Sequence, residues 1–328
     1  MSSKIVSLFS GAGGLDLGFH NAGFSTIWAN EYDKTIWDTF RHNFPETVLD
    51  TRSIAEVAVE EVPDCDGIIG GPPCQSWSEA GAGRGITDAR GQLFNDYIRL
   101  LRAKQPKFFL VENVSGILAP RHSESFQGFL KDFADTGYSV NWKLVNANDY
   151  GVPEDRLRVI IVGFRNDLNQ TFEFPEPNAV NPTLRDAIGD LPAAVPAIDK
   201  NKTNGELEIP NHEFMTGGFS PIFMSRNRVR GWDEPSFTIQ AGGRQAPLHP
   251  SAPKMVKIEK NKQAFVEGQE HLYRRLSVRE CARIQTFPDD YLFLYRDVTN
   301  GYKMIGNAVP VKLAEALAKK IRIHLGDR

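Results

Sequence analysis

The sequence predicts an α/β protein built on a doubly wound, mostly parallel sheet with a smaller second domain, and three observations carry that prediction. Short apolar runs bounded by Gly, Pro or Asp recur through the first half of the chain; amphipathic stretches fill the gaps between them; and after Phe164 both patterns give way to proline-punctuated sequence. With 328 residues, 41% of them hydrophobic, the chain can bury one large core and one small one.

The first strand is Ile5-Val6-Ser7-Leu8-Phe9. The turn Ser10-Gly11-Ala12-Gly13-Gly14-Leu15-Asp16 follows it, at the position where glycines let backbone approach a nucleotide-like ligand. Its spacing departs from the dinucleotide fingerprint, which requires a glycine where Asp16 stands, so a pyrophosphate is not indicated and a plain structural turn is the simpler alternative. Further strands are expected at Ile27-Trp28-Ala29, Gly67-Ile68-Ile69, Phe108-Phe109-Leu110-Val111 and Val159-Ile160-Ile161-Val162. Glu31, at the end of the second, is placed to accept both hydroxyls of a ribose. Leu93, Tyr97, Leu100 and Leu101 recur at helical spacing, as do Phe126, Phe129, Leu130 and Phe133, and these stripes are core for a sheet face.

Pro175, Pro177, Pro182, Pro192, Pro196 and Pro210 mark the break, so residues 1–174 are assigned to a first, catalytic and cofactor-binding domain and 175–275 to a second. Residues 276–328 form a C-terminal segment expected to return to the first domain, with Leu313, Leu317, Ile321 and Leu325 on one helix stripe behind Pro310.

Charge is distributed unevenly. Residues 1–100 carry seven Lys/Arg against fourteen Asp/Glu, whereas residues 220–262 carry eight against three, an excess of five positive charges that suits a polyanion. A solvated basic face accounts for composition alone equally well. Three cysteines with no metal-ligand spacing argue against a disulfide framework and against zinc, and the N-terminus lacks a signal-peptide pattern, so a soluble, cytoplasmic protein is expected.

Two segments carry chemistry. Cys74 lies in Gly70-Gly71-Pro72-Pro73-Cys74-Gln75, where prolines stiffen the presentation of a thiol, and Glu112 follows thirty-eight residues later (112 − 74) at the end of the Phe108–Val111 strand. A free thiol titrates near about 8.5, so a nucleophilic Cys74 needs a positive neighbour or a helix N-terminus. Cys65 and Cys281 lack this punctuation and are taken as small buried hydrophobes. Arg156 and Arg158, two residues apart before another strand, suit orienting a carboxylate or binding a base oxygen; surface charge is the other reading.

The ordered set Phe9-Ser10-Gly11-Ala12-Gly13-Gly14, Pro72-Pro73-Cys74-Gln75, Glu112-Asn113-Val114, Arg156-x-Arg158, Arg275-Leu276-Ser277-Val278-Arg279-Glu280 and Gly306-Asn307-Ala308-Val309-Pro310 resembles the DNA (cytosine-5)-methyltransferases over nearly the whole chain. The resemblance implies a Rossmann-like fold and S-adenosylmethionine as cofactor, with Phe9, Gly11, Gly13, Leu15, Glu31, Tyr32, Ile54, Pro73, Asn307 and Ala308 around it. It implies that Cys74 adds to cytosine C6 while Glu112 engages N3, that Arg156 and Arg158 bind the base and steady Glu112, and that the cytosine is flipped out of the duplex. Where the family has an Asp before Ile to bond the adenine, this chain has Ser53-Ile54, with Asp50 nearby, so either residue stands as the adenine contact. Glu154 occupies a position where Gln is common. The basic segment resembles that of GGCC-specific bacterial modification enzymes, which implies Arg226, Arg228 and Arg244 as guanine readers in a DNA target-recognition domain, with duplex DNA as partner and a monomer as the working unit. Two rivals share parts of the pattern: a tRNA cytosine-5 methyltransferase, and a catalytically silent nucleic-acid-binding protein.

Overall fold

The computed structural model describes residues 2–73 and 92–326. By the density of its internal contacts the chain divides into two compact units, Met1–Asn146 with Leu157–Glu176 and Leu313–Arg328, and Ala147–Arg156 with Pro177–Lys312. Residues 276–312 therefore belong to the second unit, and the chain rejoins the first at Leu313 rather than near 276.

The first unit holds a seven-stranded sheet: β1 (Ser3–Leu8), β2 (Phe24–Asn30), β3 (Val48–Asp50), β4 (Gly67–Gly70), β5 (Phe108–Val114), β6 (Tyr138–Asn146) and β7 (Leu157–Arg165), in the order β3-β2-β1-β4-β5-β7-β6. All neighbours run parallel except β7, which pairs antiparallel with both β5 and β6. Ile5, Val6, Leu8, Ile68, Ile69 and Phe108 to Val111 are all fully buried, as strands covered on both faces must be. Strand order reverses between β1 and β4, so the C-terminal ends of these two strands flank the crevice where open α/β sheets take ligands.

The expected helical stripes form α3 (Gln92–Lys104) and α4 (Ser123–Ala134), after the short α1 (Gly14–Asn21) and α2 (Trp37–Asn43). Phe94, Tyr97, Phe109 and Phe133 interlock between α3, α4 and the sheet, Phe109 and Phe133 stacking at 4.6 Å. Two strands escape the sequence reading, the three-residue β3 and the edge strand β6.

The second unit has little regular structure: α5 (Leu184–Ile188), the two-residue strands β8 (Val195–Pro196) and β9 (Glu213–Phe214), a hairpin of β10 (Val256–Glu259) and β11 (Lys262–Ala264), then α6 (Val278–Ile284) and α7 (Val298–Asn307). Its small core gathers Phe223, Val229, Leu248, Ala252, Met255 and Tyr273. The Ser277–Glu280 stretch is a reciprocal helix cap: Glu280 N–H donates to Ser277 Oγ at 3.0 Å and Ser277 N–H to Glu280 Oε2 at 2.7 Å. The last helix, α8 (Val311–Leu325), buries Leu313, Leu317 and Ile321 completely, and within the first unit Arg322 donates to the Ala22 carbonyl at 2.8 Å.

Candidate active site

The turn after β1 is held open by left-handed backbone at Phe9 (φ 54°), Gly11 (φ 55°) and Gly13 (φ 79°), a conformation that favours glycine and is strained at Phe9. Gly13 caps α1, and Leu15 behind it is buried. The Gly11 N–H donates to Glu31 Oε2 at 2.9 Å and the Asp33 N–H to Oε1 at 2.7 Å, so the Glu31 carboxylate is fixed at the end of β2 directly across from the glycine turn. The structure thus brings Gly11 and Glu31 together. Tyr32 beside them is exposed, Ile54 is buried, and Pro73 is exposed at the edge of the described chain. Asp50 is taken up by Arg52, whose Nη2 lies 2.6 Å from Oδ2; hydrogen bonding from that guanidinium holds the Asp50 carboxyl below its ordinary range.

Glu112 sits on the sheet face formed by β5 and β7, nearly buried. Antiparallel register sets Arg158 opposite Val114, so Glu112 and Arg158 share one face as diagonal neighbours. Arg158 Nε lies 2.7 Å from Glu112 Oε1, with each side chain only about a tenth exposed; the Nε–H is not aligned on that oxygen, so the contact is an ion pair rather than a linear hydrogen bond. Arg158 Nη1 also donates to the Leu157 carbonyl at 2.8 Å. The segment after β4 lies against this pair: Asn113 Nδ2 donates to the Pro72 carbonyl at 3.1 Å, and a Cβ on Gly71 would stand 3.0 Å from Glu112 Oε2. Cys74 lies outside the described residues.

Arg156 behaves differently from Arg158. It is fully buried in the second unit, where Nη1 donates to the Ile239 carbonyl at 3.0 Å and Nη2 to the Gly306 and Ala308 carbonyls at 2.8 Å each. Glu154, the residue in place of the common Gln, is also fully buried, 3.5 Å from Arg156, and accepts from the Ile239 N–H at 2.5 Å. The expected base contact of Arg156 is therefore corrected to a backbone strut: its donors hold the C-terminal end of α7. Asn307, the last residue of that helix, is exposed, and Ala308 is buried.

In the basic segment Arg226 and Arg244 are exposed, Arg226 just after the short turn Phe223–Ser225 and Arg244 within the short turn Gly243–Gln245. Arg228 is buried between them, over the Phe223 ring at 4.7 Å, with Nε donating to the Phe223 carbonyl and Nη2 to the Ile222 carbonyl and to Gln245 Oε1. Arg228 thus links the Phe223–Ser225 turn, which precedes Arg226, to Gln245, which follows Arg244. Gln245 escapes the sequence reading, and Arg275, quoted there only within the Arg275–Glu280 motif, donates to the Gly217 and Gly218 carbonyls, a role hidden in sequence, where a buried arginine looks like any other. Burial pushes the Cys65 thiol up to about 12 and the Cys281 thiol well above its usual range, so both are inert packing residues.

The profile of the C-5 cytosine-specific DNA methylases matches residues 3–322. The chain belongs to that family. It is 58% identical to the type II methyltransferase M.FnuDI of Fusobacterium nucleatum, over 99% of this chain and 96% of that protein, and 58% identical to the type II methyltransferase M.NgoPII of Neisseria gonorrhoeae, over 97% and 95%. At greater distance, the type II methyltransferase M.BsuRI of Bacillus subtilis is 42% identical over 97% of this chain and 79% of its own length. In fold it is similar to the Entamoeba histolytica methyltransferase EhMeth (TM-score 0.70, 15% identity, 99% of each chain) and the S. pombe Dnmt2 methyltransferase (TM-score 0.65, 17% identity, 99% and 98%). The protein is a DNA (cytosine-5) methyltransferase of type II restriction-modification, and its family and fold use S-adenosylmethionine as methyl donor. Among the described residues no cluster of His, Cys, Asp and Glu suits a metal ion, and no helix is long and apolar enough to cross a membrane.

Proposed function

We propose that the chain methylates C5 of the inner cytosine of GGCC in duplex DNA, acting as a cytoplasmic monomer on a base flipped from the helix. The observation that carries this reading is the nearly buried Glu112–Arg158 ion pair at 2.7 Å, packed against the Gly71–Pro72 segment that leads directly to Cys74. In this reading the Cys74 sulfur adds to C6, Glu112 engages N3, and C5 becomes nucleophilic. Arg158 orients Glu112, and once C5 carries the methyl group, loss of its proton to a base expels the thiol. Because C6 cannot be reached inside a stacked duplex, the base must leave the stack.

The first unit fits an adenosine-bearing cofactor, since Glu31 is fixed by two backbone N–H groups beside a turn whose left-handed residues keep the chain close. Glu31 would take the ribose hydroxyls, with Phe9, Gly11, Gly13 and Leu15 along the turn and Tyr32, Ile54 and Pro73 nearby. Ser53 would face the adenine because Asp50 is engaged by Arg52. When bound, S-adenosylmethionine supplies an electrophilic methyl group on its sulfonium.

Arg226 and Arg244, exposed beside the buried Arg228, support guanine readout, for which arginine bonds O6 and N7 bidentately. Two experiments test the reading. DNA treated to completion should resist a GGCC-cutting nuclease, and full cleavage would overturn the target. Cys74→Ala should bind DNA yet transfer no methyl group, and normal turnover would overturn the mechanism.

A further inference from the structure

We propose that the β10–β11 hairpin is an arm that grips the phosphate backbone of duplex DNA flanking the target site. The hairpin carries Lys257, Lys260 and Lys262 against one acid, Glu259, a net charge of +2 (3 − 1). Lys262 is paired with Glu259 at 2.9 Å, and Lys254 just before the hairpin is paired with Glu234 at 3.0 Å. Lys257 and Lys260 are exposed and have no ion pair among the described residues. Asn261 at φ 60° closes the turn, a conformation asparagine tolerates, and so puts Lys260 at the tip. Val256 and Ile258 are also exposed beside these lysines, an apolar edge that an isolated hairpin would gain nothing by presenting to water.

An unsupported two-stranded hairpin is marginal in water, and this one is bolted down at its root. Met255 N–H donates to Asn227 Oδ1 at 3.0 Å, Val266 N–H to the Tyr273 hydroxyl at 3.1 Å, and the Phe265 and Tyr273 rings stack at 4.1 Å. Asn227 stands between Arg226 and Arg228, and β11 packs on the Phe223–Ser225 turn that precedes Arg226. The lysine arm and the arginine segment therefore share one rigid frame. With Arg226 at the target bases, Lys257 and Lys260 fall on duplex beside them, where a compact ammonium binds phosphate as a point charge. The inference rests on the proposed readout by Arg226 and Arg244 for its location, and on the family's DNA substrate for its partner.

The test measures binding of the full chain to duplexes across a range of salt. Each of Lys257→Gln and Lys260→Gln should lower the slope of log K against log salt by about 0.9, which is about an eightfold loss at 0.1 M salt relative to 1 M. The loss should be equal on duplexes with and without GGCC, should leave kcat at saturating DNA unchanged, and should vanish on a duplex trimmed of the flanking helical turn, about ten base pairs on each side. An unchanged slope in the double variant overturns the arm, as does a change in preference for GGCC. Arg226→Gln and Arg244→Gln, run alongside, separate the two claims: if they keep GGCC preference while the lysine effects hold, the target assignment fails and the arm stands.

Discussion

Arg156→Met removes the guanidinium that ties three backbone carbonyls together while keeping much of the side-chain volume. Two of those carbonyls, Gly306 and Ala308, lie at the C-terminal end of α7, where the last turn of a helix has no internal donors. Water cannot readily replace Arg156, because the backbone of residues 240–241 comes so close that a Cβ on Gly306 would be 2.3 Å from the Ala241 nitrogen. Glu154, fully buried, would lose its counter-ion as well. Breaking a buried pair from one side costs about 3–5 kcal/mol, and the orphaned carbonyls place this case in the upper half of that range. At about 2–4 °C per kcal/mol, melting should fall by roughly 8–20 °C. Arg156→Lys should recover little, since one ammonium cannot span three acceptors. Adding Glu154→Gln to Arg156→Met should restore about 1–2 kcal/mol, because an amide oxygen still accepts from Ile239 N–H without a lone buried charge. Urea unfolding at constant m reads all three variants against the parent. A cost below about 1 kcal/mol for Arg156→Met, or a further loss on adding Glu154→Gln, would refute the strut.

Three other outcomes follow from the geometry. Burial raises the Asp16 carboxyl to about 6 from 3.8, with a hydrogen bond from the Thr26 hydroxyl offsetting part of the rise. The folded state therefore binds the extra proton between these values, and stability falls as pH rises through 6, so Asp16→Asn should be more stable than the parent at pH 8 by on the order of 3 kcal/mol, with the difference gone near pH 4 in urea titrations. Arg158→Ala should lower kcat about 100-fold or more in single-turnover assays while DNA affinity holds, because Glu112 loses its orienting partner; an unchanged kcat would remove Arg158 from the site. Glu31→Gln should weaken S-adenosylmethionine binding about 10- to 100-fold by calorimetry, since an amide cannot accept from both Gly11 and Asp33.

Much of the sheet was legible because its central strands are buried on both faces and so appear as continuous apolar runs, as at Phe108–Val111. The edge strands were harder. β3 is too short for any period to register, and β6, although Tyr138, Val140, Trp142 and Leu144 alternate, lies half-exposed with Lys and Asn between them. Sequence placed Arg156 and Arg158 on one face of an extended chain, but β7 begins only at Leu157, so the two-residue period does not reach Arg156. Long-range register, which no local pattern encodes, is what sets Arg158 against Glu112. Arg228 is read from sequence for its charge and Arg275 as part of a motif, whereas their carbonyl partners are visible only in the fold.

The central claim, thiol attack on a specific cytosine, is tested most directly by a GGCC duplex carrying 5-fluorocytosine at the inner cytosine, incubated with enzyme and S-adenosylmethionine. The account predicts a covalent complex whose digested peptide carries the base on Cys74. An adduct on Cys65 or Cys281, or the absence of any adduct while ordinary GGCC duplex is methylated, would contradict it.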